Sequence, residues 1–239
     1  MIDQMLMKLR ARDDVSEQEA LILQSSISEI RTVVTDEVVV RAGVDLTECT
    51  LLVQGFMCRY KDLANGERQI SELHVPGDFV DLHSFPLKKL DHSVLALVPC
   101  KIAIVPHERV LQMTRDHPHL TRLLWFATML DAAIHREWVV SLGRRTAIAR
   151  LVHLLCELQV RLGVVGMADA TGYNLPLTQQ DLAECLGMTG VHLNRILGTL
   201  KADAVVSFQG RRVRFHDVER ARAIAEFTPD YLFVEKRQR

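Results

Sequence analysis

Apolar positions follow two different periods along the chain. Over roughly the first hundred residues, short β-branched, aromatic or alternating stretches are separated by turn signals such as Gln54-Gly55, Asn65-Gly66 and Pro76-Gly77. The predicted strands lie at residues 38–40, 50–53, 56–60, 70–74 and 94–98, after a short helix at residues 16–25. Many short strands at near-regular spacing predict an antiparallel β-roll of the jelly-roll type.

The period becomes helical near Pro118, a residue suited to the first turn of a helix, and no breaker interrupts it before Leu142. Five apolar side chains alternate three and four positions apart, as in the seam of a two-stranded coiled coil: Leu120, Leu123, Ala127, Leu130 and Ile134. The same stripe could instead pack against its own domain, and the pattern alone leaves both interpretations open. Gly143, followed by two arginines, predicts a hinge before a further helix at residues 146–162.

Residues 177–201 have the pattern of two short helices joined by a glycine turn. We expect Thr178 to cap the first helix, Asp181 to complete a capping box, and Gly187 to form the turn. The predicted buried faces consist of Leu182, Ala183, Leu186, Leu193, Ile196, Leu197 and Leu200. A plain helical hairpin is the alternative. The short joint, the small residue where the helices cross and the polar outward face favour a DNA-binding helix-turn-helix.

The outward face of this motif supplies the candidate contacts to DNA. Groups that could reach base edges from the second helix are Thr189, Val191, His192, Asn194 and Arg195. At the start of the first helix, Thr178 and Gln179 are candidates for contacts to the DNA backbone.

Directly downstream, residues 204–208 and 212–215 are predicted strands around the turn Gln209-Gly210-Arg211. Such a hairpin predicts a wing whose tip brings Arg211 and Arg212 beside a phosphate backbone. A solvated basic turn is the alternative, and the adjacent helix-turn-helix favours the wing.

Charge is unevenly distributed, although the 239 residues together carry a net charge of −1. Residues 1–143 have a net charge of −5 and residues 144–239 a net charge of +4, which suggests that sensing and DNA binding are separated. The sequence has neither an apolar run long enough to span a membrane nor the pattern of a signal peptide. We therefore expect a cytoplasmic protein. The five cysteines are scattered without a CxxC pair, as expected for reduced core thiols.

The chain resembles the cyclic-AMP receptor protein and Fnr (Crp/Fnr) superfamily of bacterial transcription regulators, in which a β-rich region, a long helix and a winged helix-turn-helix follow in the same order. Residues 52–55, 65–70 and 74–79 are similar to the sensor β-roll of that family, and the helix-turn-helix with its wing is the more specific match. The resemblance implies a homodimer that places paired recognition helices in successive major grooves of double-stranded DNA and contacts RNA polymerase.

Arg195 occupies the family position whose guanidinium makes a bidentate contact to guanine, which suits its planar fork of donors. At two further family positions an arginine and a glutamate are frequent, and this chain has Gly190 and Val191. We therefore do not expect this chain to recognise the DNA half-site sequence of the family. Val191 could pack on a thymine methyl group, while His192 and Asn194 could meet a phosphate or a base edge.

The sensor region departs further from the family. Leu82 stands where cyclic nucleotide binders have a glutamate for the ribose, and His92 stands where they have an arginine for the phosphate. Since there is no arginine between Arg68 and Arg109, we expect no binding of cyclic AMP. His92 and the nearby lysines leave open the binding of a different anion. The candidate effector pocket comprises Asp81, Leu82, His83, His92 and Ser93.

No cofactor is predicted. The iron-sulfur cluster of the Fnr branch requires N-terminal cysteines, and the first cysteine of this chain is Cys49. The histidine spacing does not indicate a metal or haem site. Oxidation of Cys185, inside the first helix of the motif, could weaken DNA binding, although a plain core thiol is the alternative.

We expect an α+β protein with a sensor β-roll at residues 1–117, a dimerisation helix and hinge at 118–143, and a winged helix-turn-helix with a C-terminal extension at 144–239. Catalytic residues are not predicted, because the sequence lacks a phosphate loop, a nucleophile motif and a metal pair. This argues against a ligand-regulated enzyme or a kinase regulatory subunit built on the same β-roll. A sensor that signals through protein contacts, with a vestigial DNA-binding domain, is the remaining alternative.

Overall fold

The computed structural model describes residues 2–238, and their contacts divide the chain into two units. The first unit contains the chain up to Lys61, residues 72–132 and the segment from Val234 onward. The second unit contains Asp62–Ser71 and Ala133–Phe233. Among the described residues, none of the helices has the length and the apolar character that crossing a membrane requires.

The first part of the chain consists mainly of short strands. Its elements are α1 (Asp3–Arg10), α2 (Glu17–Ser25), β1 (Glu29–Val33), β2 (Val38–Val40), β3 (Glu48–Gln54), β4 (Met57–Asp62), β5 (Arg68–His74), α3 (Ser84–Leu87), β6 (Ser93–Ala96), β7 (Cys100–Pro106) and α4 (His107–Asp116). The strands form two sheets, in the orders β1-β7-β3 and β2-β6-β4-β5, with antiparallel neighbours. The predicted antiparallel β-roll is confirmed, and the five predicted strands overlap β2 to β6.

Two apolar clusters form because successive residues of a strand point to opposite faces. Leu51 of β3 and Ala103 of β7 belong to one cluster, while their neighbours Leu52 and Ile102 belong to the other. β7 is the central strand of its sheet and was not predicted, since only three residues separate it from β6. β1 also escaped prediction, because four of its five residues are exposed and leave no alternation to detect.

The long helix is confirmed as α5 (Pro118–Arg144). Gly143 and Arg144 are helical, and the break comes at Arg145, before Thr146 caps α6 (Ala147–Val164). The break therefore falls at the last residue of the predicted Gly143-Arg144-Arg145 hinge, and α5 continues through Gly143 because one glycine costs a helix only about 1 kcal/mol.

The predicted seam residues of α5 have different environments. Leu120 and Leu123 are 0% and 1% exposed in the core of the first unit, and Ala127 packs against the same core. Leu130 is half-buried, and Ile134 is buried. A second chain cannot reach Leu120 or Leu123, so packing within their own domain is the correct interpretation for these two leucines. The large apolar side chains that α5 exposes are Trp125, Met129, Val139 and Val140.

The second unit continues with β8 (Ala168–Asp169), β9 (Gly172–Asn174), α7 (Gln179–Leu186), α8 (Gly190–Ala202), β10 (Val206–Gln209), β11 (Arg212–Phe215), α9 (Val218–Ala225) and a 3-10 turn (Asp230–Leu232). Its four strands form one sheet in the order β10-β11-β9-β8. The short strands β8 and β9 were not predicted.

A buried carboxylate organises the interior of the second unit. Glu157 of α6 is 0% exposed and accepts hydrogen bonds from Arg161 (3.0 Å), the Trp138 indole (3.1 Å) and the Tyr231 hydroxyl (2.9 Å). Burial raises the pKa of Glu157, while the charge of Arg161 opposes that shift. Because a buried charge is tolerated only when it is paired and hydrogen-bonded, these donors join the end of α5, α6 and the C-terminal segment.

A histidine ties the N-terminal helices to α5 in the first unit. His119 places Nδ1 2.5 Å from a carboxylate oxygen of Glu19 and Nε2 3.4 Å from one of the buried Asp13. Its hydrogen bond to Glu19, together with that to Asp13, raises the pKa of His119. The charged imidazole is therefore favoured in the folded state.

His119 should make the stability of the protein depend on pH. Because its pKa is raised by folding, its stabilising effect is complete below the unfolded pKa of about 6.5 and is lost as the pH rises through the folded pKa. We expect His119→Gln to lower the free energy of unfolding more at about pH 6 than at about pH 9, measured by urea unfolding at both pH values. His117→Gln, at the neighbouring end of α4, is the control. If His119→Gln lowered the free energy of unfolding equally at both pH values, the charged imidazole would not be the stabilising form.

Candidate functional site

The ends of α7 are built as the sequence predicts. At its start the Thr178 hydroxyl accepts from the backbone N–H of Asp181 (3.1 Å), and the Asp181 carboxylate accepts from the backbone N–H of Thr178 (2.7 Å). This reciprocal pair is the predicted capping box. At its end Gly187 has a φ of +57°, a left-handed conformation that glycine adopts without steric cost. Both local predictions are confirmed.

The helix α8 buries one face and exposes the other. The predicted apolar residues of α8 are buried, namely Leu193, Ile196, Leu197 and Leu200. On the opposite face Asn194 and Arg195 are exposed, and Val191 is 84% exposed. Thr189 is exposed as well, and its hydroxyl also caps α8 by accepting from the backbone N–H of His192 (3.3 Å). The hydroxyl keeps its own proton for a further contact, so the outward face consists of Thr189, Val191, His192, Asn194 and Arg195.

Arg195 and His192 are hydrogen-bonded to each other on this face. The Nη2 atom of Arg195 lies 2.8 Å from Nδ1 of His192, one helical turn earlier. A guanidinium can only donate, so Nδ1 of His192 is the acceptor of this hydrogen bond. The pair thus presents further N–H donors from one spot of the helix surface.

The wing hairpin has a tighter turn than the sequence suggested. Gln209 pairs with Arg212 in the ladder, which leaves Gly210 and Arg211 as the two turn residues. Their φ values of +57° and +60° are those of a type I′ turn. The first strand begins at Val206 rather than at the predicted Ala204, which closes the preceding helix in a left-handed conformation with a φ of +51°.

The arginines of the wing differ in their surroundings. Arg211 is exposed at the tip, whereas Arg212 lies 3.3 Å from the side-chain oxygen of Asn174 on β9 and 3.8 Å from Asp169 on β8. Arg214 is also exposed and follows Arg212 by two positions, so both lie on the same face of β11. Arg214 was missed in the sequence analysis, although alternation along the strand could have indicated it.

The thiol of Cys185 is turned away from the outward face. Cys185 is 2% exposed on α7. All five cysteines are buried, and none forms a disulfide among the residues that the structure describes. Cys185 is therefore the plain core thiol that the sequence analysis left as the alternative.

The candidate effector pocket is only partly assembled. Asp81 is 1% exposed and accepts from the backbone N–H of Thr50 (2.6 Å), and burial raises its pKa to about 7. Leu82 packs in an apolar cluster, and Ser93 accepts from the backbone of Ala42. These three residues thus have packing and backbone roles.

The two histidines of the candidate pocket do lie together. The rings of His83 and His92 are 5.3 Å apart between centroids. His92 is 7% exposed and hydrogen-bonds through Nδ1 to Asp91 (2.9 Å), and its buried Nε2 has no hydrogen-bond partner among residues 2–238. Burial, followed by the charge of Arg59, lowers the pKa of His92 and so disfavours the charged ring. A neutral ring is a poor partner for an anion.

Arg59 on β4 is an interior charge that the sequence analysis missed. It is 5% exposed, with Nη1 2.9 Å from Glu72 and 3.2 Å from Asp131, and Nη2 3.3 Å from the carbonyl oxygen of Val80. An arginine among the apolar residues Met57, Cys58 and Tyr60 of a predicted strand was the available signal. Both terminal nitrogens already have acceptors, and withdrawing Arg59 from them would leave the buried carboxylate of Glu72 without its counter-charge, at a cost of several kcal/mol.

Comparisons with known proteins bear on both regions. The model of the Crp-like helix-turn-helix domain matches residues 149–224, and that of the cyclic nucleotide-binding domain matches residues 30–117. The transcriptional activator protein FnrL of Cereibacter sphaeroides is 29% identical over 202 residues, which are 82% of this chain and 79% of FnrL. The nitrogen fixation regulation protein FixK of Bradyrhizobium diazoefficiens is 27% identical over 180 residues, 73% of this chain and 71% of FixK.

Solved structures share the fold. FixK2 from Bradyrhizobium japonicum superposes with a TM-score of 0.76 at 23% sequence identity, over 84% of this chain and 98% of that one. With the two matched domains, this likeness shows a shared fold, in which a β-roll, a long helix and a winged helix-turn-helix follow one another along the chain.

The interior of the β-roll leads us to expect no response to cyclic AMP. A buried phosphate needs a guanidinium with open donors, and Arg59 is engaged with Glu72 and Asp131. Millimolar cyclic AMP should leave the melting temperature unchanged in differential scanning fluorimetry. A rise in melting temperature with cyclic AMP but not with 5′-AMP would contradict this expectation.

Proposed function

The chain belongs to the Crp/Fnr superfamily of bacterial transcription regulators, and on that premise we propose that it binds a palindromic operator as a homodimer through α8 and the wing. Members of this family regulate transcription and are not enzymes. The observation that supports the proposal most is the outward face of α8, where Val191, Asn194 and Arg195 are exposed opposite a fully apolar buried face. An exposed helix face of this kind suits the major groove.

Arg195 is the residue that we assign to guanine. Its Nη2 has two hydrogens, so it can donate to His192 and still contribute to a bidentate contact with O6 and N7 of the base. The hydrogen bond from Arg195 to His192 holds the guanidinium in place before DNA arrives, which reduces the entropy lost on binding. His192 thus acts as a support for Arg195.

Other residues of the motif are assigned to the DNA backbone. Thr178 and Gln179 stand at the N-terminus of α7, where helix N–H groups favour phosphate. Arg211 is exposed at the wing tip and can follow the phosphates. We assign Arg212 a smaller contribution to binding of the DNA backbone, since its guanidinium already lies near Asp169 and Asn174.

We propose that a second copy of the chain covers the apolar side chains that α5 exposes. Trp125, Met129 and Val139 are 65%, 51% and 70% exposed, and their spacing keeps them near one face of the helix. Two chains related by a twofold axis would cover this stripe and present two copies of α8 to the two halves of a palindrome.

The family further implies RNA polymerase as a partner and the cytoplasm as the compartment.

The test of the proposed function uses an operator selected from random duplexes by the purified protein. We expect an inverted repeat whose half-sites lie one helical turn apart. Against it, Arg195→Ala should lose roughly 1 to 3 kcal/mol per half-site and relax the preference at one symmetric base pair. Arg211→Asn suits the left-handed turn, and it should weaken binding to all sequences and reduce the salt slope by about one unit per contact.

Titrations against the operator and against singly substituted duplexes at several salt concentrations distinguish the two roles. Selection without any enriched sequence would refute the proposed function. A uniform loss of affinity for Arg195→Ala, with altered base preference for Arg211→Asn, would reverse our orientation of the motif on DNA.

The proposed dimer predicts the behaviour of Met129→Glu. In a single chain this position is exposed, so the variant should fold with a near-normal melting temperature. In the dimer the same carboxylate would be buried in an apolar seam at a cost of several kcal/mol, and sedimentation should show monomers. Leu87→Glu on α3 is the control, since Leu87 is also an exposed apolar residue and lies outside α5. A Met129→Glu protein that remains dimeric would exclude this stripe as the seam.

A further inference from the structure

The end of α7 is held from outside the helix-turn-helix. The last carbonyl groups of a helix have no intrahelical donor. At α7, the Nε2 atom of Gln69 lies 2.8 Å from the carbonyl oxygen of Glu184 and 3.4 Å from that of Cys185. Nη1 of Arg150 donates to the next carbonyl, that of Leu186. Gln69 and Arg150 thus provide side-chain donors to the last turn of α7, and the carbonyl oxygens of Glu184 and Leu186 are their closest acceptors there.

Gln69 reaches α7 from a β-hairpin. It lies on β5, in the segment Asp62–Ser71 that belongs to the second unit by its contacts. The same side chain donates to the carbonyl of Ile70 (2.8 Å), which fixes its direction. Next to it, Nε of Arg68 lies 3.9 Å from the Glu184 carboxylate. Two neighbouring side chains of the hairpin therefore meet one turn of α7.

The position of α7's last turn determines where α8 starts. Gly187 follows Leu186 directly, and Thr189 already caps α8. A Cβ atom added at Gly187 would lie 3.5 Å from Oε1 of Gln69, so the glutamine side chain also packs against the turn. Any movement of these carbonyl groups is passed to α8 over two residues.

We propose that Gln69 is a positioning residue for DNA recognition, which holds the end of α7 and so fixes the direction of α8. The inference rests on the proposed function of α8. Gln69 does not contact DNA in this proposal. Its amide provides donors where the helix dipole and the open carbonyls favour them, and a side chain without a donor leaves the turn free to shift.

The experiment compares Gln69→Leu, which removes the donor at similar size, with Gln69→Lys, which restores one. The readout is the ratio of affinity for the selected operator to affinity for non-specific duplex, because a misdirected α8 loses base contacts and keeps phosphate contacts. We expect Gln69→Leu to lower this ratio about fivefold, as for one lost hydrogen bond. Gln69→Lys should stay within about twofold of the original ratio, since its ammonium donates to the same carbonyls. Gln112→Leu, an exposed glutamine on α4, is the matched control.

A second measurement does not depend on DNA. The backbone N–H groups of Gly187 and Met188 both donate to the carbonyl of Ala183. We expect their hydrogen exchange to be faster in Gln69→Leu than in the parent protein and the Gln112→Leu control. Failure of the parent protein to prefer any sequence would refute the proposed function, whereas the exchange rates would still test whether Gln69 holds the turn.

The proposal is overturned if Gln69→Leu exchanges these two protons at the parent rate. It is equally overturned if the affinity ratio of Gln69→Leu is unchanged or increased, or if Gln69→Lys behaves like Gln69→Leu.

Discussion

The helix α5 carries more apolar side chains than one chain can bury, and this constraint governs the rest of the molecule. Leu120 and Leu123 lie in the core of the first unit, while Trp125 and Val139 point elsewhere and are largely exposed. A helix with two apolar faces needs two packing partners to remove both from water. The first partner is the β-roll. The second, in our proposal, is another copy of the chain, which makes the symmetry of the operator a consequence of how α5 is covered.

Features set by neighbouring residues could be predicted from the sequence, and features set by distant contacts could not. Thr178, Asp181 and Gly187 form the capping box and the turn through groups at most four residues apart, so their pattern was sufficient. The face of α5 that packs inward depends on β-strands far away in sequence. Apolar residues recur at helical spacing on more than one face of α5. The sequence pattern alone therefore predicted Leu120 and Leu123 to lie in the seam between two chains.

The same distinction applies to the candidate site. The outward face of α8 follows from helical periodicity and was predicted, and Thr189 additionally caps the helix. The pairing of Arg59 with Glu72 and Asp131 could not be predicted, because it joins β4, β5 and α5. This pairing sets one arginine against two carboxylates within the first unit. The positive charge of Arg59 is therefore already neutralised by side chains of the same chain.

The left-handed conformation of Arg211 has a consequence for protein engineering. A non-glycine residue at a φ of +60° stores strain of about 1 to 3 kcal/mol, and glycine or asparagine would relieve it in a type I′ turn. An algorithm or a selection that rewards thermal stability alone would replace this arginine. The resulting protein would melt at a higher temperature and would have lost the charge at the tip of its wing, so a thermostabilised version of this chain should be screened for operator affinity at every step.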